Sequence, residues 1–229
     1  TITAEDADGD PVAGGINLDV NVQDDVPVLG QGGGDSIDLE EESVPGIGGN
    51  DENDGLSYTV TNGTIVDNVS WGADGFGKVT GVSGTGQPAA VYDAVAKTYT
   101  ISTTVYELVV NENGTYSFTL KDNLAHASGL DENWKDLLAG GFTITAEDAD
   151  GDPVAGGINL DVNVQDDVPT LGSFMSGFMA NEPLTSLKGF FDVEPGADGL
   201  SAFNITGPAI TGVSYSSSSA YNLDGSLLS

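Results

Sequence analysis

The stretch Thr1–Pro27 reads TITAEDADGDPVAGGINLDVNVQDDVP, and the same 27 letters return from Thr143 to Pro169. Taken to Gly30 and Gly172, 29 of 30 positions agree at an offset of 142, with Val28 against Thr170 the one difference. A copy this close at that distance marks a tandem array. Inside the second copy, Ile158, Leu160, Val162 and Val164 alternate with Asn159, Asp161 and Asn163, the period of a strand with one buried face. FTITAE from Phe142 precedes it with a second strand-like run. The repeated segment therefore reads as two strands around an aspartate-rich loop, although aspartate is a poor strand former.

Working outward, TYSFTL from Thr115 puts Tyr116, Phe118 and Leu120 on one face, and NENG at 111–114 joins it to YTISTTVYELVV as a hairpin. LSYTV from Leu56 and KVTGV from Lys78 bring the set to at least six short strands, and most of the 33 glycines and 9 prolines lie between such runs. The one helical candidate is LDENWKDLLAGG, where Trp134, Leu137 and Leu138 share a face and Gly140 ends it. Many short strands in about 140 residues predict an all-β protein, an antiparallel Greek-key β-sandwich. The organisation expected is the closing hairpin of a preceding repeat at 1–28, a complete sandwich at 29–170, and the first part of a following, divergent repeat or related module at 171–229. WGADGFGKVTG from Trp71 is echoed by PGADGLSAFNITG from Pro195, at a shorter spacing from the preceding copy.

Charge narrows the partners. With 36 acidic residues, 5 lysines, no arginine and a formal net charge of -31, the chain repels nucleic-acid phosphates and anionic lipid. Its counter-ions are cations. Cysteine is absent, so thiolate metal sites and disulfides are excluded and hard oxygen ligands remain. The 17 aromatic residues and the alternating runs argue against disorder. No apolar run is long enough to span a bilayer and no signal peptide is evident. The chain reads as an internal piece of something longer.

Asp148, Asp150 and Asp152 alternate around Gly151, as do Asp6, Asp8 and Asp10 in the first copy, and Asp166–Asp167 repeats Asp24–Asp25. Carboxylates so close repel unless a cation shares them. A tight loop aiming several oxygens at one centre suits calcium, with six to eight oxygen ligands, better than magnesium. The alternative is an acidic turn that only solvates the surface. An EF-hand does not fit, because glycine falls at loop position 4 from Asp148, position 12 is Asn159, and a strand follows. The two strands run in opposite directions, so Asp150 and Asp167 belong at opposite poles of one domain. Head-to-tail stacking would instead bring Asp24 and Asp25 of one repeat to Asp148, Asp150 and Asp152 of the next.

These motifs carry a resemblance. AEDADGDPVAGGINLDVNVQDDVP, together with NENGTYSFTL and GGFTITAEDADGD, resembles the tandem domains of giant RTX adhesins, which bacteria export by type I secretion and which bind calcium between modules. The segment is also similar to cadherin repeats, and that likeness implies an Ig-like or cadherin-like sandwich. It further implies calcium ligation by the acidic loop around Asp150, by the Asp166–Asp167 linker, by Asp131 in LDEN where cadherins have LDRE, and by Glu42 in EEESVP as the early glutamate, with Glu182 its analogue in the tail. Asn133 replaces the glutamate of LDRE, and the linker lacks the paired asparagines of cadherins.

The resemblance implies a calcium-stiffened extender on a bacterial cell surface, whose partners are neighbouring repeats and which projects a distal binding domain for adhesion or biofilm formation. A ligand-binding module for glycan or protein, seated in the divergent tail with its SYSSSSAY run, is the alternative. An enzyme is not expected. His126, the single histidine, has no triad or zinc partner in the sequence and reads as a loop residue. Trp71 and Trp134 read as packing residues. The sequons at Asn62, Asn113 and Asn204 carry little meaning in a bacterial protein.

Overall fold

A computed structural model describes residues 2–15, 17–49, 55–129, 132–175 and 191–200. In chain order its strands are β1 (Val28–Leu29), β2 (Gly34–Glu40), β3 (Thr59–Thr64), β4 (Val69–Ser70), β5 (Phe76–Gly84), β6 (Val91–Asp93) and β7 (Thr98–Ser102). There follow β8 (Tyr106–Asn111), β9 (Thr115–Leu120), β10 (Trp134–Asp136), β11 (Phe142–Asp148), β12 (Ile158–Gln165), β13 (Thr170–Phe174) and β14 (Phe191–Glu194). The protein is all-β, as the alternating runs require.

Two five-stranded sheets face each other. One has the antiparallel order β3-β9-β8-β7-β6. In the other, β11 lies between β5 and β12. Beyond the end of β11, β10 takes over the same edge of β12, pairing Asp136 with Asn163 and Trp134 with Gln165. The opposite edge of β12 is covered by β2, in parallel, from Asn159↔Gly34 to Gln165↔Glu40. This parallel pair departs from the purely antiparallel expectation. It is possible because β2 and β12 lie at opposite ends of the repeat, so a long connection joins them. Gly34 is required there, since a Cβ would run into the Asn159 carbonyl.

The alternating residues Tyr116, Phe118, Leu120, Ile158, Leu160 and Val162 are buried as expected and share one core with Phe142 and Ile144 of β11. Tyr106, Phe118 and Phe142 meet between the sheets, with ring centroids 5.4 to 6.2 Å apart. Trp71 packs edge-on against Phe76 and donates from Nε1 to the Val66 carbonyl at 2.7 Å. The helical expectation for LDENWKDLLAGG fails. Residues 134–136 form β10 and Trp134 is 50 % exposed, while Leu137 and Leu138 pack against the core. Free ladder positions on β12 outweigh a 3.6-residue pattern only a few residues long.

The two identical copies differ in structure. Leu160, Val162 and Val164 are 0 %, 3 % and 0 % exposed in β12, whereas their counterparts Leu18, Val20 and Val22 are 70 %, 72 % and 89 % exposed and form no strand. The loops nevertheless agree. Asp6 N–H donates to Asp10 O at 3.1 Å and Asp148 N–H to Asp152 O at 3.0 Å; Val12 donates to Ala4 at 2.8 Å and Val154 to Ala146 at 2.9 Å. Both copies carry the same isolated bridge, Glu5↔Pro11 and Glu147↔Pro153.

Candidate metal centres at the two poles

At the pole reached by β11, the loop turns back on itself around one carboxylate. Asp148 Oδ1 accepts from the N–H groups of Gly151 at 3.0 Å and Asp152 at 2.7 Å, with Gly151 in the left-handed region at φ +109°. Its other oxygen, Oδ2, is buried without a hydrogen-bond partner, in a residue only 2 % exposed. The Ala149 N–H donates to the Gly75 carbonyl at 3.1 Å. Gly77 lets the chain pass the Asp148 carbonyl, where a Cβ would collide. Together these contacts press the loop against the GADG turn at 72–75.

The DD linker arrives at the same place. Asp24, Asp74 and Asp150 each offer an oxygen within 4.8 Å of the others, and so do Asp148, Asp150 and Asp152, which makes Asp150 common to both groups. Asp25 lies against Gly72, where a Cβ would come within 2.7 Å of its Oδ2. The linker is held by β1 on β4, Val28↔Ser70 and Leu29↔Val69, and by Gly30 N–H to Asn68 O at 2.8 Å. The charges respond as crowded carboxylates do. Asp150 is pushed up to about 6, first by sharing a proton with Asp148 and then by burial and by the charges of Asp148, Asp24 and Asp74. Burial, with the neighbouring Asp24, also raises Asp152. Burial would raise Asp148 too, but hydrogen bonds from Asp150, Asp152 and Gly151 outweigh it and lower the pKa.

The opposite pole is built differently. Glu41 follows β2, Asp166 follows β12, and His126 comes from the loop between β9 and β10. All three offer ligand atoms within 4.8 Å of one another. His126 Nε2 lies 3.1 Å from Glu41 Oε1, with side chains 2 % and 0 % exposed. Glu41 Oε1 also accepts from Leu124 N–H, while Oε2 is buried without a partner. Burial raises the Glu41 carboxyl to about 8; the Leu124 N–H opposes this, and the charges of Asp198, Asp166 and Asp167 add to it. Burial lowers His126, against Asp166.

The linker beyond this pole repeats the upper geometry. β13 pairs with β14 as Thr170↔Glu194 and Leu171↔Val193, the positions matching Val28↔Ser70 and Leu29↔Val69. Gly72 and Gly196 share the left-handed conformation, at φ +71° and +73°. Gly196 packs against the Asp167 backbone where Gly72 packs against Asp25. Asp198 occupies the position of Asp74 and accepts from Asn123.

Of the residues singled out in the sequence, Asp24, Asp148, Asp150 and Asp152 come together at one pole, with Asp25 beside them. Asp166 and Asp167 lie at the other. Asp6, Asp8 and Asp10 form a third group, all three exposed. Glu42 is half-buried beside Gly49, which Asp167 Oδ2 also approaches, and the buried carboxylates at this pole are Glu40, Glu41 and Asp167. Asp131 and Glu182 lie outside the described residues. Its neighbour Glu132 accepts from Gln165 at 2.6 Å. The sequence reading missed Asp74 and Asp198, although the GADG echo marked both. It also missed Glu41 and the partner of His126, which only the fold brings together. Comparison with family models, curated proteins and solved structures gave no match.

Proposed function

We propose that the chain is an extender segment of a bacterial surface adhesin, in which calcium held between successive domains stiffens a tandem array that carries a distal binding domain outward from the cell. The observation that carries this reading is the convergence of Asp24, from one copy's linker, on Asp150 in the other copy's loop, with Asp74 beside both. The donor set fits the ion: every group is a carboxylate, one is buried with an unsatisfied oxygen, and calcium takes six to eight oxygen ligands.

Carboxylates this close oppose one another without a cation. A bound calcium would offset that repulsion and tie the linker to the next domain. The two short ladders that hold the linkers, β1 with β4 and β13 with β14, are too small to be rigid alone. Among the described residues no helix is long and apolar enough to cross a membrane. Extracellular modules bind calcium with dissociation constants of roughly 0.1 to 1 mM. Cytosolic calcium is far lower, so the chain would stay pliable before export and set outside.

Thermal unfolding of the whole chain tests the reading. Calcium at about 100 times the dissociation constant is expected to stabilise by about 2.7 kcal/mol per site. Asp150→Ala, which removes the group common to both clusters, should lose most of that response. Asp8→Ala, in the exposed copy, should keep it. A melting temperature unchanged between calcium and excess chelator would refute the proposal.

A further inference from the structure

The lower pole carries a nitrogen ligand where the upper has only oxygens. We propose that Glu41, His126 and Asp166 form a binding site for a borderline divalent transition ion of the zinc class, chemically distinct from the all-oxygen clusters at the other pole. Imidazole with two carboxylates is a donor set that zinc accepts and calcium does not favour. The observation that carries the calcium reading is the Asp24, Asp74 and Asp150 cluster at the other pole, so failure of one reading is distinguishable from failure of the other.

Three features support the assignment. The first is preorganisation. Glu41 and Asp166 directly follow Glu40 and Gln165, which are register partners in the parallel ladder, and Asp166 N–H donates to the Asn133 carbonyl at 3.0 Å. Their separation is thus set by the sheet. The second is the unsatisfied donor: Glu41 is wholly buried, yet its Oε2 meets no hydrogen-bond donor. A buried carboxylate oxygen left so is costly unless a cation completes it. The third is the histidine itself: its side chain is only 2 % exposed and its Nδ1 is buried with no hydrogen-bond partner. Three protein ligands leave a fourth tetrahedral position for water. Lys135, the nearby cation, is occupied with the Ala125 carbonyl.

His126 is the single histidine of the chain, so its ring nitrogens give an unambiguous NMR reporter. Titrating the full chain with zinc should move those resonances to a metal-bound position with one-to-one stoichiometry, while excess calcium should leave them in place. Both His126→Gln and Glu41→Gln should weaken the tightest zinc binding by at least about tenfold, measured calorimetrically, whereas Asp150→Ala should not. Ring signals unmoved by zinc, or moved equally by calcium, would overturn the site. So would unchanged zinc affinity in a folded His126→Gln protein.

Discussion

Glu41 places a carboxylate where water cannot reach it, and its proton affinity shows the consequence. Its folded pKa, about 8, lies above the ordinary 4.5, so between those values the folded chain holds a proton that the unfolded chain releases. Its stabilising contribution is complete below about 4.5 and is lost as pH rises to 8. Asp150 acts in the same sense up to about 6. His126 acts in the opposite sense: its pKa is lowered from 6.5, so it costs stability only as pH falls below that value. From about pH 6.5 to 8 Glu41 therefore dominates, and the metal-free protein should melt at progressively lower temperature across that window. Glu41→Gln, which keeps an acceptor for Leu124 but cannot ionise, should flatten the slope. Scanning calorimetry in chelator at several pH values would check this, and a wild-type melting temperature that rises from pH 6.5 to 8 would contradict the burial argument.

At the scale of elements, the two copies separate what local sequence encodes from what tertiary packing supplies. The DADGD turn forms in both, with Asp10 N–H to Asp6 Oδ1 at 2.9 Å and Asp152 N–H to Asp148 Oδ1 at 2.7 Å. Its information lies in aspartates that bond their own backbone. The strands form only in the second copy, because β2, β10 and β11 flank β12 there and the facing sheet receives Leu160 and Val162. Leu160→Ala should accordingly cost about 2–5 kcal/mol. The same change at Leu18 should fall within about 0.5 kcal/mol of neutral in this chain. Denaturant unfolding of the two variants tests this, and equal costs would count against the asymmetry. Strand faces, the core and the acidic loop were legible because each rests on a period of two or a repeated turn. The short edge strand β10 was not, since Trp134, Leu137 and Leu138 suit a helix equally well on spacing alone. Glu41 carried no signal of its own in the sequence, since its burial is decided by the parallel ladder that ends at Glu40. His126 stood without a partner because Glu41 lies 85 positions away.

For the whole molecule, the question is whether the junction is held by coordination or merely relieved of repulsion. The net charge is -31, and simple salt screens exposed charges beyond about 8–10 Å. Asp24, Asp74 and Asp150 are much closer than that, within 4.8 Å, so monovalent salt cannot replace an ion seated among them. Small-angle scattering of the full chain should therefore show its maximum dimension increase with calcium and fall again with chelator. Sodium chloride at equal or greater ionic strength should produce no comparable change. Asp74→Ala should reduce the calcium response at the Asp24 junction, because it removes the group that the GADG turn contributes. The matching Asp198→Ala should act at the other linker, where Asp167 packs on Gly196. Extension by sodium chloride alone would mean that screening governs the shape, and the carboxylates would then be a solvated surface with no ion between them.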